Sequence, residues 1–147
     1  MKKLTLLLIA TSIAFIALWM PAGAENGEEA AVRQAIEHYF RGHATGDGEH
    51  FKKVFHPDSK LFWLNDGKLN QRTSADYIAG AQGTVPADEA KRKRRIVNID
   101  ITGNAAVVKL ELDYPGAFIT DYMSLLKIDG TWKIINKMFY VERRSQK

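Results

Sequence analysis

The sequence predicts an α+β fold: three N-terminal helices packed on one face of a strongly curved antiparallel sheet. Three observations predict it. Apolar residues recur at helical spacing early in the chain. Apolar and polar residues alternate over long runs after residue 96. Gly- or Pro-bearing turns stand between those runs. Helices first and hairpin-connected strands afterwards is the order of a fold whose helices gather on one face of a sheet.

Residues 1–24 are set apart from that fold. "MKKLTLLLIATSIAFIALWMPAGA" has two lysines, an apolar run from Leu4 to Met20, then Ala22, Gly23 and Ala24. This charged, apolar, small-residue order is that of a secretory signal peptide, with cleavage expected after Ala24. The apolar run also approaches a short membrane span, so a retained anchor is the alternative; the polar "ENGEE" that follows fits processing. Residues 25–147 are then expected to form one exported domain, periplasmic or secreted from a bacterium, with no stable membrane span once the signal is gone. The chain has no cysteine, so it does without disulfides in a compartment that would permit them. A domain of about 120 residues can bury enough surface to manage that.

The formal net charge is +4, from 21 basic and 17 acidic residues. Two of the basic residues, Lys2 and Lys3, leave with the signal, and five more form the run "KRKRR" at 91–95. Such a run can grip phosphates or anionic lipid. It stands without an aromatic-rich recognition motif, so nucleic acid is not an expected partner.

The helices come first. In residues 28–42 the apolar positions Val32, Ile36, Tyr39 and Phe40 trace one face of an amphipathic helix, which His43 extends and His38 leaves. "TGDG" breaks it, and Asp47 is the N-cap expected for a short second helix burying Phe51, Val54 and Phe55. Pro57 ends that helix near His56. "KLFWL" reads as a strand and "NDGK" as the tight turn after it. "TSAD", Thr73 to Asp76, has capping-box spacing and opens a third helix carrying Tyr77 and Ile78.

The strands follow. Val97, Ile99 and Ile101 alternate with polar residues, and "TGN" turns the chain into the alternating run Ala106, Val108, Leu110, Leu112, Tyr114. Pro115 and Gly116 lead into residues 117–128, and "DG" at 129–130 returns the chain as residues 131–142. These last two strands carry apolar residues on both faces. Two buried faces need two partners: the helices on one side and a second copy of the chain on the other.

The stretches "YFRGHATGD", "VFHPDSKLFW", "KRRIVNIDITGNAAVVKLELDYPG" and "TDYMSLLKIDGTWKIINKMF" resemble the nuclear transport factor 2-like superfamily, and within it the lumazine-binding group. The resemblance spans about residues 28–142. It implies a cone in which a bent sheet wraps a long helix and leaves a pocket open at one end. Relatives of that shape include ketosteroid isomerase, scytalone dehydratase, polyketide cyclases and non-catalytic binding domains, so fold alone does not set function.

Candidate site residues follow from position. All four histidines lie within residues 38–56, at spacings of five, seven and six. A helical zinc motif needs ligands one turn apart, so no metal is expected, and no cofactor motif is present. His43 and His56 each end a helix beside aromatic residues: either an imidazole held by backbone carbonyls or a pocket acid–base group. Tyr39 lies on the inward stripe, and Trp63 and Tyr114 are expected walls. Arg95 shares the parity of Val97, Ile99 and Ile101, which would aim it inward, where it needs an anionic partner or ligand. Asp121, sharing the parity of Ile119, Met123 and Leu125, could be that partner; the alternatives are a purely structural Arg–Asp pair or an arginine beyond the sheet edge, in water.

Two function classes fit these residues. One is an exported small-molecule-binding or scaffold domain with an apolar-aromatic pocket for an unknown organic ligand, dimeric through its sheet. The other is a cofactor-free isomerase, dehydratase or cyclase that abstracts a proton beside a carbonyl. For the latter, His43, His56 or Asp121 would be the base and Tyr39 the oxyanion donor. The two-carboxylate pattern of the steroid isomerase is not met, because Asp113 falls on the polar face of its strand.

Overall fold

A computed structural model describes residues 22–144. The expected signal segment falls almost wholly outside them, and among the described residues no helix is long and apolar enough to cross a membrane.

Helix α1 runs Ala22–Thr45, longer at both ends than the apolar stripe alone predicts. Val32, Ile36 and Tyr39 on its inner face are completely buried. The helix stops at Gly46, whose positive φ of 70° is the left-handed conformation that ends helices. Asp47 then caps α2 (Gly48–Val54), accepting a 2.9 Å hydrogen bond from the Glu49 N–H. Phe51 of α2 packs against Gly42, where a Cβ would come within 2.5 Å of the ring; glycine is what lets the two helices close.

Phe55 is the first residue of β1 (Phe55–Asn65) rather than the last of α2, and it is buried all the same. The turn at Asp66 and Gly67, both with positive φ, leads into β2 (Lys68–Thr73). This strand carries no apolar alternation, being an edge strand exposed at nearly every position, which is why periodicity does not reveal it. Thr73 caps α3 (Ser74–Ala79), accepting from the Asp76 N–H as its capping-box spacing predicts.

The remaining strands are β3 (Lys93–Thr102), β4 (Ala105–Tyr114), β5 (Ala117–Ile128) and β6 (Thr131–Arg143). The sheet order is β2-β1-β6-β5-β4-β3. Every neighbouring pair is antiparallel except β1 with β6, which run parallel. Helix α1 touches both β3 and β6, so the sheet wraps around it. Glu28 ties the start of α1 to the β5–β6 hairpin, accepting from Lys127 Nζ at 2.6 Å and from Trp132 Nε1 at 3.0 Å.

Two bulges bend the sheet and change which side chains face inward. In β3 the pairing with β4 slips between Ile96 and Asn98, leaving Val97 as the extra residue. Before the slip Arg94 and Ile96 face the interior; after it Ile99 and Ile101 do. Simple alternation therefore misplaces two residues. Val97 is 40 % exposed. Arg95 points outward and pairs with Glu111 on β4 rather than with Asp121; the inward arginine is Arg94. In β6 the slip falls at Ile135. Trp132 and Ile134 are buried before it, and Lys137 and Phe139 turn inward after it.

Candidate functional site

Tyr39 from α1, Asp121 from β5 and Lys137 from β6 meet in the interior of the cone. Tyr39 and Asp121 have no exposed surface and Lys137 almost none. The Tyr39 hydroxyl donates to Asp121 Oδ2 at 2.6 Å. The Lys137 ammonium donates to the same hydroxyl at 2.5 Å and lies 3.0 Å from Asp121 Oδ1 as an ion pair. Asp121 Oδ1 itself accepts no well-directed hydrogen bond among the described residues, so the carboxylate keeps a lone pair for another donor.

Aromatic rings enclose this polar group. Tyr39 packs edge-on against His43 with centroids 4.6 Å apart, and Phe51 and Phe55 stand 5.8 and 6.1 Å away. The Lys137 ammonium sits 4.9 Å from the Phe139 ring centroid, 5.0 Å from Tyr39 and 5.7 Å from Tyr77, an arrangement that favours a cation. Phe139 and Tyr77 are only half-buried, and Phe139 stacks on the half-buried Trp63 at 5.4 Å. Side chains rather than backbone thus border Lys137 on its outer side.

At the other end of the ring cluster, His43 Nε2 lies 3.0 Å from the Tyr77 hydroxyl. Tyr114 is 6.4 Å from the His43 ring. Its hydroxyl accepts from Arg94 Nε at 3.0 Å, and the Arg92 guanidinium lies over its ring at 4.4 Å. Arg94 is gripped by Glu89 through two bonds of 2.6 and 2.7 Å, the planar fork geometry that suits arginine to carboxylates.

These environments set the protonation states. Burial pushes the Tyr39 hydroxyl pKa well above its ordinary value, and the Asp121 charge adds to this. Burial also raises Tyr77. Burial lowers Lys137 while Asp121 opposes the shift. His43 is held well below the usual histidine value, first by burial and then by the positive charges of Lys137, Arg94 and Arg92. Its packing against Tyr39, Phe51, Tyr77 and Tyr114 supplies that desolvation.

His43 is thus neutral in the folded protein, while the unfolded chain binds a proton near pH 6.5. Between those two pKa values the unfolded state holds more protons, so stability falls as pH drops below about 6.5. Denaturant titrations at pH 7.5 and 5.5 are expected to show wild type losing about 1 kcal/mol more than His43→Gln. Equal losses would show that the imidazole is free to charge in the folded state.

Of the residues the sequence singles out, Tyr39, His43, Tyr114 and Asp121 converge on the interior. Trp63 stands at its edge beside Phe139. His56 lies apart at the start of β1, half-buried, its Nδ1 accepting from the Asp58 N–H at 3.2 Å. Arg95 is on the outer face. Sequence alternation misses Lys137 and Arg94, both re-aimed by bulges. The other two histidines, His38 and His50, bring their Nδ1 atoms to 3.4 Å; among the described residues no group of three or more metal-ligating side chains forms.

A cavity of about 660 Å³ lies between α2, α3 and β1, lined by Phe55, Pro57, Ala75 and Ile78 among others. Its lining includes none of the polar cluster. A second cavity of about 440 Å³ is lined by Trp63 and Phe139 and so adjoins the ring that covers Lys137. The chemically unusual groups are in the interior, and the site is placed there.

A helix wrapped by a bulged, curved sheet, with a polar cluster beneath aromatic rings, defines an NTF2-like cone. The chain belongs to the family described as "Putative lumazine-binding", whose model matches residues 27–140. It is similar to Aldolase FrzH from Cladobotryum sp, 27% identical over 104 residues, covering 69% of this chain and 82% of that protein. Among solved structures it resembles an NTF2-like protein from Shewanella baltica OS155, with a TM-score of 0.72, 23% identity, and coverage of 80% of this chain and 95% of the other. A second, from Methylobacillus flagellatus KT, gives a TM-score of 0.65 at 25% identity, covering 85% and 97%. This family and fold fit small-ligand binding or isomerase-like chemistry.

Proposed function

We propose that this chain binds a small carbonyl compound in its aromatic interior and moves a proton at the carbon beside the carbonyl. Asp121 is the base. Tyr39 and the positive charge at Lys137 offset the negative charge that develops on the carbonyl. The observation that carries this reading is the buried carboxylate held against a hydroxyl and an ammonium, its Oδ1 meeting no donor beyond that ammonium among the described residues. A buried ion pair is seldom the most stable choice for a core, since apolar side chains of similar volume serve as well or better. Its place among rings in the cone argues for chemistry.

Two likenesses support the reading. The relative named an aldolase points to carbonyl chemistry, and aldol reactions in the synthetic direction begin with loss of such a proton. The family's description points to a small ligand. Entry of that ligand requires the half-buried rings of Tyr77 and Phe139 to swing aside. Export to the periplasm, on the pattern of residues 1–24, belongs to the same proposal.

The test is proton NMR in D₂O with a panel of small ketones and aldehydes, cyclohexanone and phenylacetaldehyde among them. Deuterium is expected to enter the carbon beside the carbonyl faster than in buffer, with a loss of about 100-fold or more in Asp121→Asn, the range of general-base catalysis. Exchange at the buffer rate across the panel, or exchange unchanged in Asp121→Asn, would count against the reading.

A second element concerns assembly. Val107, Tyr122, Leu126, Met138 and Tyr140 are exposed by 40–69 % on the outer sheet face, alternating with the buried positions of the same strands. An apolar sheet face of this kind fits a homodimer. The native mass of the same preparation is expected to be that of two chains; a single chain at micromolar concentration would remove the dimer.

A further inference from the structure

We infer that Lys137 is a covalent anchor, its Nζ forming a Schiff base with the carbonyl carbon of the bound compound. This rests on the carbonyl-binding reading above and adds the bond by which the substrate is held.

The placement of Lys137 points to a reacting amine. It faces inward only because the bulge at Ile135 shifts the phase of β6. Among the described residues its Nζ has two polar partners, the Tyr39 hydroxyl and Asp121 Oδ1, for three N–H groups. The rest of its surroundings are the rings of Phe139, Tyr77 and Tyr39. A lysine in such apolar surroundings gives up its proton more readily than one in water, as catalytic lysines do, and burial lowers Lys137 in that direction. Asp121 Oδ1, 3.0 Å away and otherwise without a donor, is in place to receive the proton.

The step balances without any added reagent. The ammonium passes one proton to Asp121, and the freed lone pair forms the C–N bond while the C=O π pair moves to oxygen. That oxygen takes a proton back from Asp121 by way of the Tyr39 hydroxyl, which is 2.6 Å from Oδ2. The nitrogen then passes a second proton to Asp121, giving a neutral carbinolamine. Asp121 returns this proton to the departing hydroxyl, the C–O bond breaks, and water leaves. One ammonium and one carbonyl have become one protonated imine and one water. The positive charge is conserved, and Asp121 ends as a carboxylate beside it, ready to take the neighbouring C–H proton and leave an enamine.

The experiment incubates the full chain with 2,4-pentanedione at pH 7. Enaminone formation is followed by near-ultraviolet absorbance, and the labelled site by peptide mass mapping. The expected result is one adduct per chain, with the mass of the diketone less one water, mapped to Lys137. The band is expected to be lost in Lys137→Met, and the mapping on wild type decides the matter if that variant does not fold. An unlabelled Lys137, or label confined to surface lysines, overturns the inference. If deuterium exchange dependent on Asp121 persists in that case, the carbonyl site stands and only the covalent bond is refuted. If exchange is absent too, both fall.

Discussion

Replacing Lys137 with methionine is expected to cost about 3–5 kcal/mol of folding stability, because it strands a buried charge. Asp121 has no exposed surface. Without the ammonium, the side-chain hydrogen bond left to it among the described residues is that from the Tyr39 hydroxyl, at 2.6 Å. A loss of that size is a large part of the 5–15 kcal/mol that holds a typical domain folded. The loss reports the orphaned charge rather than the worth of the pair, and a combined variant separates the two. In Tyr39→Phe/Asp121→Val/Lys137→Met every polar member leaves together, at similar volume for two of the three. Urea titrations are expected to place this variant within about 1 kcal/mol of wild type, or above it. If instead the three losses add, the cluster is a structural element that the fold needs.

Gly46→Ala is expected to destabilise by about 3 kcal/mol, combining a left-handed backbone with a collision. Gly46 has φ of +70°, and a Cβ there would lie 2.3 Å from the Thr84 carbonyl oxygen and 2.8 Å from its nitrogen. These are backbone atoms, which cannot rotate away as a side chain can. The same corner is held by the Gly83 N–H donating to the Gly46 carbonyl at 2.8 Å, which fixes where α1 ends and α2 begins. Gly83 makes the internal control: its φ is +73°, but the space around its Cβ is open. Gly83→Ala is expected to lose about 1–2 kcal/mol, the backbone term alone. Equal losses at the two positions would show that contact with Thr84 contributes nothing.

The helices, the hairpins and most of the inward positions were legible from alternation and capping. Tyr39 follows from the i, i+3, i+4 stripe of α1, and Asp121 and Tyr114 from unbroken alternation in β5 and β4. Bulges account for what was not legible. A single extra residue reverses the face of every position after it, and neither Val97 nor Ile135 announces itself by type. The trace they leave is a pair of adjacent β-branched residues where the phase changes: Ile96 and Val97 in β3, Ile134 and Ile135 in β6. Reading the second pair as a phase change puts Lys137 on the side of Phe139 and Val141, where Asp121 requires a cation. Reading the first exchanges Arg95 for Arg94. Strand β2 had no such trace, since an exposed edge strand has no core face to pattern.

On the function proposed above, the Tyr39–Asp121–Lys137 cluster exists for chemistry and not for folding. The most direct measurement is deuterium entry beside the carbonyl, read on the triple variant with its urea stability measured in the same preparation. The expected result is a protein about as stable as wild type whose exchange has fallen to the buffer rate. A variant that loses several kcal/mol of stability, yet exchanges as wild type does while still folded, would contradict it.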